Sequence, residues 1–299
     1  MMTIEECRSF YAQEIRFVAN LSTPGLVEAF ARVPREKYLG PPPWQLGSPE
    51  QRALSMTGKI GMLYHATEDP RDVYHNLVVP LDISRDINNS QPSALGRWIN
   101  AMDLKPGDRV YHLGCGVGYY TAIMAEVVGP TGSVVGIELH PQLAARAKEN
   151  LSGYPYVTVH QGDGATFDPG ECDALLINAG TTHPHPQWLR RLRPKGRLIV
   201  PLTVAVTPTL GQGVMAKIVR EWGGFSAEVI TVLAIFSCTN ARDPLLEPLM
   251  PKALTSGALL RMRSIRRDVH DPADTCILHG NEVCVSSAEL MTESAASAN

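Results

Sequence analysis

The 299-residue sequence predicts an α/β protein: a doubly wound sheet preceded by a helical segment with a lid and followed by a β-rich extension. Three observations predict it. From Ser93 to about Pro208, short runs that are apolar throughout alternate with amphipathic stretches, the pattern of parallel strands covered on both faces. The first such run empties into the glycine cluster Gly114, Gly116, Gly118, which opens a helix. Beyond residue 214 the helical stretches thin out and β-branched runs take over.

Each element follows in order. Ile4, Cys7, Tyr11, Ile15 and Val18 recur at helical spacing. Thr23-Pro24 predicts the N-cap and first turn of a second helix carrying Leu26, Val27 and Phe30. It stops near Pro34, ahead of Pro41-Pro42-Pro43. Residues 44–92 are irregular, with a short strand at Leu77–Leu81, and a connection of this length predicts a binding lid. The core then reads helix Ser93–Met102, strand Arg109–Leu113, helix Tyr120–Val128, strand Ser133–Ile137 and helix Pro141–Leu151. Strands Val157–His160 and Asp173–Asn178, helix Trp188–Leu192 and strand Arg197–Pro201 complete it. The extension reads as strands at Val214–Val219, Val229–Phe236, Leu259–Ile265 and Glu282–Val285, with a helix near Pro244–Leu254 and a disordered tail, ESAASAN. The domain boundaries are thus 1–92, 93–213 and 214–299. No internal repeat is present.

Composition excludes several classes. With 27 basic and 30 acidic residues the formal charge is -3, which disfavours a dedicated nucleic-acid binder. No apolar run approaches the ~20 residues that span a bilayer, and the N-terminus lacks a signal-peptide pattern. A cytoplasmic protein with no membrane partner is expected. The cysteines Cys7, Cys115, Cys172, Cys238, Cys276 and Cys284 form no CxxC, so no metal site is expected and reduced, packed thiols are. His183 and His185 are two apart, but no third ligand group is suggested nearby. Arg190, Arg191 and Arg193 read as a solvated basic face.

The glycine loop carries the functional signal. Glycines let the backbone turn sharply and leave room for a ligand against the strand end. Alone, such a loop can be a purely structural turn. Glu138 ends the next strand, where a carboxylate can accept both hydroxyls of a ribose, and Asp163 follows the third strand, where it can meet an adenine edge. Either acid singly can be surface solvation; acids at successive strand ends favour a nucleoside site. A dinucleotide fingerprint needs a third glycine where Tyr119 stands, so G-x-G-x-G suits a ligand without pyrophosphate, namely S-adenosylmethionine. Asn178, ending the DALLIN strand, belongs to the same region or forms a turn.

The run LGCGVGYYTAIMAEVVGPTGSVVGIE, with HQGDG, DALLINAG and LRPKGRLIVPL after it, resembles the protein-L-isoaspartate (D-aspartate) O-methyltransferases. VEAFARVPREKYL (27–39) is similar to the family's N-terminal helix and "VPRE" turn, and NNSQPS (88–93) to its segment ahead of the core. The resemblance covers residues 23–43 and 80–205. It implies a Rossmann-like methyltransferase sheet and S-adenosyl-L-methionine as cofactor, held by Gly114, Cys115, Gly116, Gly118, Tyr119, Glu138, Leu139, Asp163, Gly164 and Asn178. Ser90 matches the family's active-site hydroxyl; its structural alternative is a helix N-cap. The implied reaction is carboxyl O-methylation of isoaspartyl residues in peptides or proteins, a repair activity.

Departures concentrate on the acceptor side. His112 stands where the family usually has an acid, Asn88-Asn89 replaces Thr-Ile, residues 44–80 do not follow the family's short connection, and CTNARD (238–243) does not align. A divergent methyltransferase acting on a small molecule or modified peptide in a biosynthetic pathway is the alternative, and a non-catalytic nucleoside-binding protein a lesser one. A base methyltransferase lacks support, because DALLINAG has no aromatic to stack a flipped base.

Overall fold

The protein, seen in a computed structural model, is described over residues 2–48, 63–85 and 87–290. It divides into two compact units interleaved along the chain, one of residues 1–107, 115–136 and 140–161, the other of 108–114, 137–139 and 162–299. Predicted features on residues 49–62 and in the ESAASAN tail lie outside the described residues.

The first unit begins with α1 (Ile4–Ala19), started by a capping box between Thr3 and Glu6. Its buried stripe is Tyr11, Ala12, Ile15 and Ala19. Val18, assigned to that stripe from the sequence, is instead exposed, because a 3.6-residue period carries the apolar face on to Ala19. α2 (Leu26–Arg32) is capped by Gly25 in the left-handed region, not by Thr23. Thr23 is occupied elsewhere: its hydroxyl donates to the Asn100 carbonyl (3.1 Å) and its N–H to the Asn100 side chain (2.8 Å).

The VPRE turn explains the next stretch. Arg35 is fully buried. Its guanidinium donates to the carbonyls of Val73 (2.6 Å), His75 (3.0 Å) and Leu77 (2.8 Å) and lies 5.7 Å from the Tyr11 ring centre. Glu36 accepts the Tyr74 hydroxyl, and Arg35 N–H donates to that same oxygen (3.1 Å). β1 (Trp44–Gly47) pairs antiparallel with β2 (Tyr64–Thr67), and Gly47 also bridges Val78. The strand predicted at Leu77–Leu81 is therefore split between that bridge and β3 (Pro80–Asp82), which pairs with β4 (Ile87–Asn88). Among the described residues, the unit's further α-helices are α3 (Pro92–Ala101), α4 (Tyr119–Val128) and α5 (Pro141–Asn150).

The second unit holds β5 (Arg109–Leu113), the end of β6 (Ser133–Glu138), β8 (Cys172–Ile177) and α6 (Pro186–Arg191). β9 (Leu192–Ala205), β10 (Leu210–Glu221) and β11 (Gly224–Phe236) follow as a long antiparallel meander. After α7 (Met250–Thr255) come β12 (Ser264–Arg266), β13 (Cys276–His279) and β14 (Cys284–Ser286). With β7 (Val157–Gln161), the sheet runs β13-β14-β12-β11-β10-β9-β8-β5-β6-β7. Strand order advances outward from β5 through β6 and β7, whereas β8 and β9 lie on its other side. The topological switch therefore falls between β5 and β8, where open α/β sheets bind their ligands.

Two sequence expectations change here. Leu259–Ile265 is not one strand: Ala258–Arg261 forms a 3-10 turn after left-handed Gly257, and only Ser264–Arg266 pairs. The predicted 197–201 strand extends to 192–205: β10 pairs residues 197–205 antiparallel, and at the other end Leu192 pairs parallel with Cys172 of β8. Among the described residues no helix is long and apolar enough to cross a membrane.

Arg35→Leu should lower unfolding free energy by about 3 kcal/mol in urea titration, because three backbone carbonyls lose a charged donor that is itself fully buried. A loss under 1 kcal/mol would mean that the carbonyls find other partners.

Candidate active site at the strand ends

In the second unit, hydrogen bonds level three strand ends. The Gly114 N–H donates to the Ile137 carbonyl and the Asn178 N–H to the Leu113 carbonyl, both at 2.9 Å. Asn178 then donates its side-chain amide to the Gly114 carbonyl (3.3 Å), tying the turns after β5 and β8 at the switch point. Gly114 has φ +73, and a Cβ there would sit 3.2 Å from the Asn178 oxygen, so both backbone shape and space favour glycine.

Glu138, half-buried, is the last residue of β6, and its carbonyl accepts the Gly162 N–H (3.0 Å). Leu139 beside it is 52% exposed, an apolar side chain left facing solvent at a strand end. Asp163 uses one carboxylate oxygen to accept the Ala165 N–H (2.9 Å) and the other to accept the Asn240 amide (2.6 Å). Gly164 is fixed by packing: a Cβ would lie 2.4 Å from Leu113 Cγ. Its carbonyl accepts the Tyr111 hydroxyl (3.0 Å) and the Trp188 indole N–H (3.3 Å).

In the first unit, the loop residues divide by role. Cys115 is buried, and a Cβ added at Gly136 would meet its Sγ at 3.2 Å. Gly116 (φ +57) differs from its neighbours: a Cβ there would meet nothing within 4 Å. Gly118 caps α4, and a Cβ would crowd Leu151 at 2.7 Å. Tyr119 turns its side chain inward, its hydroxyl 3.3 Å from that of Tyr11 and its ring 5.5 Å from that of Tyr38. Only its backbone remains for a ligand.

Ser90 is half-buried and held at φ 54, a strained setting for a non-glycine residue. It is not the helix N-cap; Gln91 takes that position. The Ser90 N–H donates to Asn88 Oδ1 (2.9 Å). Asn89, beside it, donates its N–H to the Val79 carbonyl (2.8 Å) and accepts the Tyr120 hydroxyl (3.2 Å). Its buried side-chain nitrogen has no hydrogen-bond partner.

Two features that sequence reasoning did not single out bear on these residues: Asn240 on Asp163, and Tyr120 under Asn89. Neither spacing nor residue type marks them, although Asn240 lies in the unaligned CTNARD run. His183 and His185 are tied to neighbours, His183 to the Thr182 hydroxyl (3.0 Å) and His185 as the cap of α6. Burial lowers both pKa values, so both are neutral at pH 7. In the basic run, Arg191 pairs with Asp168, and Arg193 with Asp173 (3.4 Å) and Glu171 (3.6 Å).

The strand order, the glycine turn and the acids at successive strand ends define a Rossmann-like α/β protein of the methyltransferase type. The model of the protein-L-isoaspartate(D-aspartate) O-methyltransferase family matches residues 63–228. Among curated relatives, a protein-L-isoaspartate O-methyltransferase of Ignicoccus hospitalis is 35% identical over 150 residues, 49% of this chain and 69% of its own length. One from Methanopyrus kandleri is 36% identical over 128 residues, 41% of this chain and 57% of its own. Protein-L-isoaspartate O-methyltransferase 2 of Archaeoglobus fulgidus is 29% identical, with 67% and 80% covered. A solved protein-L-isoaspartate O-methyltransferase superposes with TM-score 0.61 at 21% identity, over 81% of this chain and 69% of that one. A Plasmodium falciparum protein assigned to the same activity, in complex with S-adenosyl-L-homocysteine, gives 0.56 at 17%, over 78% and 98%. The chain belongs to the protein-L-isoaspartate (D-aspartate) O-methyltransferase family.

His112, one residue before Leu113, is buried, and desolvation pushes its pKa down to about 3. The unfolded chain binds this proton near pH 6.5 and the folded chain does not, so stability is full above pH 6.5 and falls as pH drops toward 3. His112→Leu should flatten that dependence, which for this one group is on the order of 5 kcal/mol at most. Stability curves at pH 7.5 and 4.5 for both proteins check it; parallel curves would assign the acid sensitivity elsewhere.

Proposed function

We propose that this chain is an S-adenosylmethionine-dependent O-methyltransferase that esterifies the free carboxyl of isoaspartyl residues in peptides or proteins, a repair reaction in the cytoplasm. The observation that carries the cofactor assignment is the open space over Gly116 in a turn whose other glycines, Gly114 and Gly118, are hemmed in. When bound, the cofactor supplies a methyl group already activated on a sulfonium, which a carboxylate oxygen can take in line while the S–C electron pair stays on sulfur. The isoaspartyl carboxylate is ionised at pH 7, so no base is needed and no proton moves.

The chain's part is then binding and orientation. Glu138 accepts the ribose hydroxyls. Leu139 offers its exposed side chain to the adenine face, and Asp163-Gly164 the adenine edge. Gly116, with the backbones of Cys115, Gly118 and Tyr119, lets the ligand approach the turn, and Asn178 steadies it through Gly114. Ser90 orients the acceptor carboxylate by hydrogen bonding. The Asn89 amide, buried and unpartnered, supports a polar acceptor beside it. Asn88-Asn89 in place of Thr-Ile favours a second reading, a small molecule or modified peptide as acceptor.

Calorimetry should show S-adenosylhomocysteine binding without NAD binding. Glu138→Ala should weaken it by about 1–3 kcal/mol, the scale of lost charge-assisted hydrogen bonds. Gly116→Val should abolish it. Unchanged affinity in both would take the glycine turn and the acid out of the site.

With labelled cofactor, methyl should pass to an isoaspartyl peptide and not to its aspartyl counterpart. Ser90→Ala should lower kcat at unchanged cofactor affinity, since the hydroxyl acts on the acceptor in the transition state. Wild-type protein that binds the cofactor yet methylates no isoaspartyl peptide would sink the repair reading in favour of the small-molecule one.

A further inference from the structure

The C-terminal hairpin brings together side chains that no cysteine spacing advertises. We propose that His270, Cys276, His279 and Cys284 form a structural zinc(II) site that pins the outer edge of the sheet. One candidate ligand atom from each of the four lies within 4.8 Å of the others. A tetrahedral ion with Zn–N of ~2.0–2.1 Å and Zn–S of ~2.3 Å needs ligand separations of roughly 3.3–3.8 Å, a contraction of about 1.5 Å at most. One edge is already at that length: His270 Nε2 lies 3.6 Å from Cys276 Sγ.

Register makes the cluster. His279 pairs directly with Cys284 across β13 and β14, so their side chains share a face. Cys276, three residues before His279, would point the other way in a regular strand. Between Cys276 and Leu278 the register shifts, so that Cys276 pairs with Ser286 while Leu278 pairs with Val285. The irregularity returns Cys276 to the face of His279 and Cys284. His270 arrives from the connection after β12, its ring centre 4.7 Å from that of His279 at 83°.

The surroundings fit metal ligation. His270 Nδ1 lies 2.9 Å from the Asp268 carbonyl, and its N–H donates there. That contact fixes the tautomer and leaves the lone pair on Nε2, the support a coordinating histidine commonly has. Asp268 in turn holds Arg266 through a 3.1 Å hydrogen bond. The Ala273 N–H donates to Cys276 Sγ (3.4 Å), a contact suited to a thiolate. His279 Nδ1 is buried without a hydrogen-bond partner, so that imidazole has a ring nitrogen that coordination would satisfy. Two sulfurs and two nitrogens in a tetrahedron select zinc over oxygen-seeking cations. Four protein ligands close the shell, so the role is structural. Cys284 is buried and the other three are half-buried, which keeps water from competing.

The test uses the full chain purified under reducing conditions and does not depend on the methyl acceptor. Elemental analysis after exhaustive dialysis should give about one zinc per chain, lowered to under about a tenth in Cys276→Ser/Cys284→Ser and unchanged in Cys7→Ser. A chelator should lower the melting temperature of the wild type and added zinc should restore it. If the double variant fails to fold, cobalt(II) loading of the wild type decides. Intense tetrahedral ligand-field bands with near-ultraviolet thiolate charge transfer support the site, and a weak octahedral spectrum overturns it. Folded wild type that retains no zinc after loading, a double variant that keeps its zinc, or a Cys276–Cys284 disulfide in freshly purified protein would each overturn it.

Discussion

The candidate acceptor segment rests on one buried cation. Arg35 satisfies the carbonyls of Val73 and Leu77, and it shares that of His75 with the Leu77 N–H (2.7 Å). A lysine could not do this: three alternate carbonyls need donors spread in a plane, which a guanidinium provides. With 73–77 held, Val78 bridges Gly47 and the Val79 carbonyl takes the Asn89 N–H. Tyr120 grips the same residue from α4. Ser90 is forced to positive φ at the end of this chain of contacts, and the Asn88 side chain holds its N–H there. The strain at Ser90 is therefore maintained by groups up to 55 residues away in sequence, and local propensity has little to do with it.

That dependence marks what the sequence could reveal. The parallel core was legible because β5 and β8 are buried on both faces, so Ala174–Ile177 appears as an unbroken apolar run and Val110–Leu113 as one interrupted only by His112. The turn glycines were legible because each needs positive φ. Elements whose state is set by partners were not. Thr23 has good N-cap chemistry, yet Asn100 recruits it and Gly25 caps the helix. Leu259–Ile265 has a strand's composition, but Ala258–Arg261 turns as a 3-10 helix after Gly257, and backbone pairing begins only at Arg263. Of the site residues, their positions at strand ends were readable, whereas the inward turn of Tyr119 depends on Tyr11 and Tyr38, distant in sequence.

Cysteine spacing failed for a related reason. Close-spaced cysteine pairs reveal metal sites when a single tight turn presents both ligands. Here histidines alternate with cysteines over fifteen positions, and a register shift, invisible in the residue string, decides which side chains share a face. The same shift lies at β13, the outermost strand of the sheet, where unpaired backbone groups invite association with other chains.

The glycines and acids around the switch point show how family motifs divide into packing and binding parts. Gly164 sits in the adenine-side motif, yet the 2.4 Å approach of Leu113 requires a missing side chain there whether or not a ligand binds. Gly116 is under no such packing demand; its φ of +57 favours glycine, and the space over it stays open. Asp163 is intermediate. One oxygen closes the local turn onto Ala165, and Asn240 from the C-terminal extension takes the other. A carboxylate keeps further lone pairs after two hydrogen bonds, so it can still meet an adenine edge, but its orientation is now set by the extension. Residues beyond the parallel core thereby reach one of the two acids whose aim the cofactor assignment needs. Residues beyond 228, where the family match ends, can still govern how the family's motif is held.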